Sequence, residues 1–91
     1  MKLDIEKLKE IYGEQIVVDI HENMDSLVDN INCLISYGFQ DPYDIVETNP
    51  YLFLVLPETF QEKMEKLTQK LGVEFVEKLS EDMSLWSEID D

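Results

Sequence analysis

The sequence contains no arginine and no alanine, one cysteine, one histidine, three glycines and three prolines. Without arginine there is no planar guanidinium fork to read a guanine edge or clasp a phosphate. The missing alanine speaks to coding bias rather than to function. A single thiol, Cys33, forms no internal disulfide, which agrees with a reducing compartment. Long apolar runs are missing too. The longest, residues 51–56, has six residues between Pro50 and Pro57, against the ~20 that a membrane span needs. The opening segment MKLDIEKLKE is amphipathic and charged. It has neither the apolar region of a signal peptide nor the Arg-rich character of a transit peptide, so the expected location is cytoplasmic with no membrane association.

What is present is acid. Twenty-one Asp and Glu face seven Lys, a net charge of −14 over 91 residues. Such a field repels phosphates and anionic lipids, and either attracts basic partners or simply keeps the chain soluble as a solvated face. Hydrophobic residues make up 44% and charged residues 31%, a globular composition rather than a disordered one. A chain this long buries roughly 63% of its unfolded surface, which suits one modest core.

Catalytic and metal-binding patterns are incomplete in this sequence. His21 and Asp25 stand one helical turn apart, but a metal usually takes three or four ligands and no HExxH or Cys/His cluster accompanies them. His21 reads as an exposed histidine at a helix start. Cys33 is twelve residues from the only histidine, roughly 18 Å along a straight helix, too far for that base to activate it. It reads as a small half-buried residue. The isolated glycines build no phosphate loop, and Asp41, Asp44 and Glu47 do not fit the EF-hand spacing. No catalytic residue, metal or cofactor is expected, and the chain reads as not an enzyme.

Helical periodicity and capping signals organise the chain. Asp4 is an N-cap candidate, Ile5, Leu8, Ile11 and Tyr12 recur at helical spacing, and Gly13 closes the segment. Residues 16–20, four of them β-branched, are strand-like by propensity, yet lack a partner strand, and read as a helical turn or an extended linker. Residues 22–37 give the clearest amphipathic helix, with Met24, Leu27, Val28, Ile31, Leu34 and Ile35 on its apolar face and Gly38 as its C-cap. Asp41-Pro42 and Asn49-Pro50 each restart the chain, the latter opening a helical turn over 51–55. Pro57 opens a long helix to Leu71, carrying Phe60, Met64, Leu67 and Leu71 and ended by Gly72. A short helix is predicted over 73–80 and one more turn over 81–89, with Asp90 and Asp91 fraying. The predicted core is Leu27, Ile31, Leu34, Ile45, Leu52, Phe53, Phe60, Leu67 and Leu71. Trp86 reads as core packing rather than a binding surface.

Displaced by 33 residues, the chain matches itself. Ile20 falls on Phe53, Leu27 on Phe60, Ile31 on Met64, Leu34 on Leu67, and Leu52 and Phe53 on Leu85 and Trp86. With one residue of slip, Gly38 and Phe39 fall on Gly72 and Val73, and Ile45 on Leu79. Such a period suits stacked helical units.

Pro50 followed by Phe53, Phe60 and Leu67, and then Gly72, resembles the repeat of the mitochondrial transcription termination factor (mTERF) family. The run 30–39, followed by Asp44-Ile45-Val46 and then Asn49-Pro50-Tyr51-Leu52, resembles one full unit. The likeness covers residues ~16–86, two repeats and a fragment. It implies stacked helix triplets and nucleic-acid binding through basic residues lining the groove. The matched positions are fold positions. Here the lysines fall into a first cluster at Lys2, Lys7 and Lys9 and a second at Lys63, Lys66, Lys70 and Lys78, with Glu6, Glu10, Glu58, Glu62, Glu65, Glu74 and Glu77 interleaved. No duplex DNA binding is therefore expected.

The resulting expectation is an all-α fold, a short array of about two helix-turn-helix-type units of ~33 residues in one small bundle or solenoid of open handedness. The expected divisions are an N-terminal helix at 1–13, repeat 1 at 16–49, repeat 2 at 50–83, and a partial repeat with an acidic tail at 84–91. Residues 10–62 carry eleven acids and no lysine. Asp19, Glu22, Asp25, Asp29, Asp41, Asp44 and Glu47 are accordingly the candidate partner-binding residues. The expected role is a protein-binding adaptor, with basic proteins among its candidate partners. The alternative is a nucleic-acid mimic of the antirestriction or repressor-blocking type, and direct nucleic-acid binding by family analogy comes third. The oligomeric state is left open.

Overall fold

Asp4 starts the first helix as its spacing suggests: Oδ1 accepts the Lys7 amide at 3.0 Å. The computed structural model describes residues 3–90, with side chains through residue 87. Six α-helices follow one another among these residues: α1 (Ile5–Tyr12), α2 (Gln15–Glu22), α3 (Met24–Tyr37), α4 (Pro42–Thr48), α5 (Pro57–Leu71) and α6 (Phe75–Glu81). Two 3₁₀ helices, Pro50–Phe53 and Met83–Asp90, follow α4 and α6 respectively. No strand occurs among the described residues, so the all-α expectation holds.

The helix boundaries follow local chemistry. Asp41 caps α4 by accepting the Asp44 amide at 3.2 Å, with Pro42 in the first turn. Gly38 ends α3 in the left-handed region, and the Phe39 amide returns to the Leu34 carbonyl at 3.2 Å. That 6→1 bond satisfies a carbonyl the helix leaves orphaned.

The core is one cluster drawn from every helix. Leu8, Ile16 and Ile20 come from α1 and α2, and Leu27, Ile31 and Leu34 from α3. Ile45 and Val46 come from α4, Phe60, Met64 and Leu67 from α5, and Leu79 from α6. Phe53 is fully buried within it, 5.4 Å from the Phe60 ring and 5.5 Å from Trp86, whose other ring contact is Phe39 at 5.7 Å. Trp86 is fully buried and donates Nε1–H to the Leu79 carbonyl at 3.2 Å. It is core, as the sequence indicated.

Four features depart from the sequence reading. Residues 15–22 form a full helix, longer than the expected helical turn and excluding the extended linker, because Ile16 and Ile20, four residues apart, both bury against the core. Tertiary packing here outweighs β-branched propensity. On α3, Val28 and Ile35 lie outside the buried face at 39% and 49% exposure. The buried stripe narrows to Leu27, Ile31 and Leu34, and Asn30 joins it at 1%. Leu52 and Leu71 are only partly buried. The final 3₁₀ helix extends to Asp90, while Asp91 lies outside the described residues.

The matched positions of the 33-residue displacement share their environment. Ile20 and Phe53, Leu27 and Phe60, Ile31 and Met64, and Leu34 and Leu67 are all buried, as are Ile45 and Leu79. One pair breaks the rule: Phe39 is 4% exposed and Val73 is 98% exposed.

Candidate docking groove between α4 and α6

A groove of about 600 Å³ opens between two stretches of chain. One runs from Gly38 through the first turn of α4, and the other from Val73 through α6 to Met83. Ile45, Val76 and Met83 give it an apolar surface, with Val73 beside them. Its polar rim is acidic: Asp41 and Asp44 on the α4 side, and Glu74, Glu77 and Glu81 on the α6 side. The α4 acids are set by the cap. Asp41 must precede Pro42 to hold the Asp44 amide, which fixes Asp44 one turn later on the same side. The α6 acids follow helical spacing, Glu77 and Glu81 being four residues apart and Glu74 three before Glu77. All five are exposed.

No lysine lines the groove. The lysine of α6, Lys78, is directed elsewhere: its Nζ donates to the Leu71 carbonyl at 2.7 Å. It thereby serves the open C-terminal end of α5, where a cation is electrostatically favoured. The acids on the groove side of α6 are left without that cation, and five carboxylates share one concave surface.

The seven acids singled out in the sequence are divided by the fold. Asp41 and Asp44 enter the groove. Asp19, Glu22, Asp25 and Asp29 belong to α2 and α3 and line no part of it. Glu22, Asp25 and Asp29 are exposed, while Asp19 is half-buried and accepts from Gln15 Nε2 at 3.1 Å. Glu47 is half-buried and paired with Lys7 at 3.3 Å. This pair belongs to a clasp holding α1 against the end of α4, where the Tyr12 hydroxyl meets the Glu47 and Thr48 carbonyls at 3.2 and 2.8 Å. Sequence reasoning missed Glu74, Glu77 and Glu81. They sit among lysines in the sequence, but in the fold Lys78 turns toward α5 and no lysine lines the groove.

His21 is exposed near the end of α2 rather than at a helix start, with Nδ1 2.9 Å from the Val17 carbonyl. No group of His, Cys, Asp and Glu among the described residues has metal-binding geometry. Cys33 is half-buried and one turn from Tyr37. Burial pushes its thiol above the ordinary range, opposed in part by a hydrogen bond with Tyr37. A raised thiol pKa is the reverse of what activates a nucleophile. No helix among the described residues is long and apolar enough to cross a membrane. No protein family, curated protein or solved structure matches this chain.

Proposed function

We propose that this chain is a non-enzymatic cytoplasmic adaptor that docks a protein partner in the groove between α4 and α6. The observation that carries this reading is the pairing of an apolar surface from Ile45, Val76 and Met83 with a polar rim, in a concavity of about 600 Å³. A hydrophobic centre with a charged rim is the general anatomy of a protein-recognition patch.

The scaffold under this proposal is two tandem helix triplets, α3 and α4 with Pro50–Phe53, then α5 and α6 with Met83–Asp90. The shared burial of positions 33 residues apart supports the tandem reading. So does the resemblance to the mTERF repeat, taken as a guide to architecture only. The α1–α2 pair closes the front of the array by burying Leu8, Ile16 and Ile20.

The nucleic-acid mimic is the second reading, favoured by the exposed acids Glu22, Asp25 and Asp29 along α2 and α3. The two separate by capture from native lysate at low salt and at about 1 M, where screening reaches ~3 Å. A docked adaptor weakens at high salt but keeps the share of binding that its apolar surface supplies, whereas a mimic, held by charge alone, releases its partner. Ser80→Trp places a bulky ring in the groove at an exposed position. Ser36→Trp, on exposed α3, is the control. Loss of the captured partner with Ser80→Trp alone supports docking in the groove, and unchanged capture with both variants ends it.

A further inference from the structure

We infer that the occupant of the α4–α6 groove is a lysine- or arginine-bearing segment of the partner, anchored by one apolar side chain between two acidic walls. The inference rests on the docking reading above and specifies its ligand chemistry.

Two independent features converge on it. The first is uncompensated charge. Asp41 and Asp44 face Glu74, Glu77 and Glu81 across one concavity, no lysine lines it, and Lys78 is held by the Leu71 carbonyl. Like charges gathered on a concave wall repel one another, and a cationic segment relieves that repulsion while pairing with both sides. The acids of α6 recur at three and four residues, which is ~4.5 and ~6 Å along the helix axis. A segment bearing cations at similar intervals can therefore meet more than one of them at once.

The second feature is an uncovered apolar position. After α3, the residue following the glycine is Phe39, covered by Trp86 at 5.7 Å and Phe75 at 6.4 Å. After α5, the residue following the glycine is Val73, and it is 98% exposed at the same groove. An apolar side chain from outside, seated against Val73, Val76 and Met83, supplies the cover that Phe39 receives from within. Acids alone would collect any cation. The apolar surface beside them selects a segment that carries both kinds of side chain.

The test uses a fluorescein-labelled Lys/Leu peptide with leucine at helical spacing, followed by anisotropy and by amide chemical shifts of the full chain. Two comparison probes are oligolysine of equal charge and the same peptide with Glu in place of Lys. The groove variant Asp44→Asn, Glu77→Gln, Glu81→Gln leaves the capping Asp41 in place. Its charge-matched control is Glu22→Gln, Asp25→Asn, Asp29→Asn. Expected is a loss of about tenfold in affinity for the groove variant, the sum of three exposed pairs, and less than about twofold for the control. Shift changes should concentrate in α4 and α6, with oligolysine clearly weaker than the Lys/Leu peptide.

Equal weakening by both variants would mean that only the overall field attracts the peptide, and the inference falls. It falls too if oligolysine matches the Lys/Leu peptide, or if the Glu peptide binds as well. The docking reading is judged separately. Should Ser80→Trp abolish capture of the lysate partner while the groove acids leave peptide binding unchanged, docking stands and the basic occupant is wrong.

Discussion

Asn30 on α3 donates its side-chain amide to the carbonyl of Phe53, 2.9 Å away, and with the same nitrogen to that of Val55, also at 2.9 Å. Two backbone acceptors where the chain leaves its first 3₁₀ helix for α5 are thus satisfied by one side chain from another helix. The residue is 1% exposed, and its Oδ1 is buried without a hydrogen-bond partner. Asn30 therefore acts as a donor. Asn30→Leu, similar in size but without donors, strands both carbonyls at a cost of about 1–3 kcal/mol for each that is fully buried. Asn30→Asp places an acceptor against two acceptors and is the worse of the two at neutral pH. Chemical denaturation of both variants at pH 7 checks the order, and a more stable Asp variant would contradict it.

Trp86 closes the core from the C-terminal side against Phe39 and Phe53. It is the only tryptophan, so fluorescence reports this contact alone. The native chain should show blue-shifted emission and resist acrylamide quenching, and both properties should vanish in one transition with the helical circular dichroism. Trp86→Ala should cost about 3–5 kcal/mol, a large share of a small domain's stability. An emission maximum like that of free tryptophan in the folded chain would place the ring outside the core.

How much of this was legible beforehand depends on the range of the physics. Asp4, Asp41-Pro42, Gly38 and Gly72 act on their own neighbours, and each marked a boundary that the fold keeps. Helix α2 was not legible because Val17 and Val18 argue locally for extended chain, while the burial of Ile16 and Ile20 depends on α1 and α3. Val28 and Ile35 show the converse. Their spacing permits burial, but no described helix fully covers that edge of α3. At the groove, Asp41 and Asp44 were visible as acids. Their opposition to Glu77 and Glu81 exists only once α6 is brought alongside α4.

Gly38 ends α3 and Gly72 ends α5 in different backbone regions. Gly38 has φ 101° and ψ 13°, within the left-handed basin. Gly72 has φ 85° and ψ −164°, a region that is essentially glycine-only. A Cβ at either position meets no atom within 4 Å, so any penalty is backbone strain alone. Asparagine tolerates the left-handed region. Gly38→Asn should therefore lower stability by less than ~1 kcal/mol, and Gly72→Asn by about 1–3. Thermal melts of the two variants decide, and equal losses would show that the two turns are not distinct.

Cys33 and Tyr37, one turn apart on α3, are both held above their ordinary pKa values, chiefly by burial. For Tyr37 the charge and hydrogen bonding of Cys33 add to the rise, with a smaller contribution from the charge of Glu65. The folded chain thus keeps protons that the unfolded chain sheds from about pH 8.5 upward. In that window the unfolded state binds fewer protons than the native state, so stability falls as pH rises. Below it both states hold these protons, and the pair contributes no slope. Urea midpoints should accordingly decline between about pH 8.5 and 10.5. Cys33→Ser, which removes one titrating group and its effect on Tyr37, should make the decline shallower. The Cys33 thiol should also react with iodoacetamide more slowly at pH 8 than a free cysteine does, because less of it is thiolate. A variant slope as steep as the wild type would show that the pair is not the source.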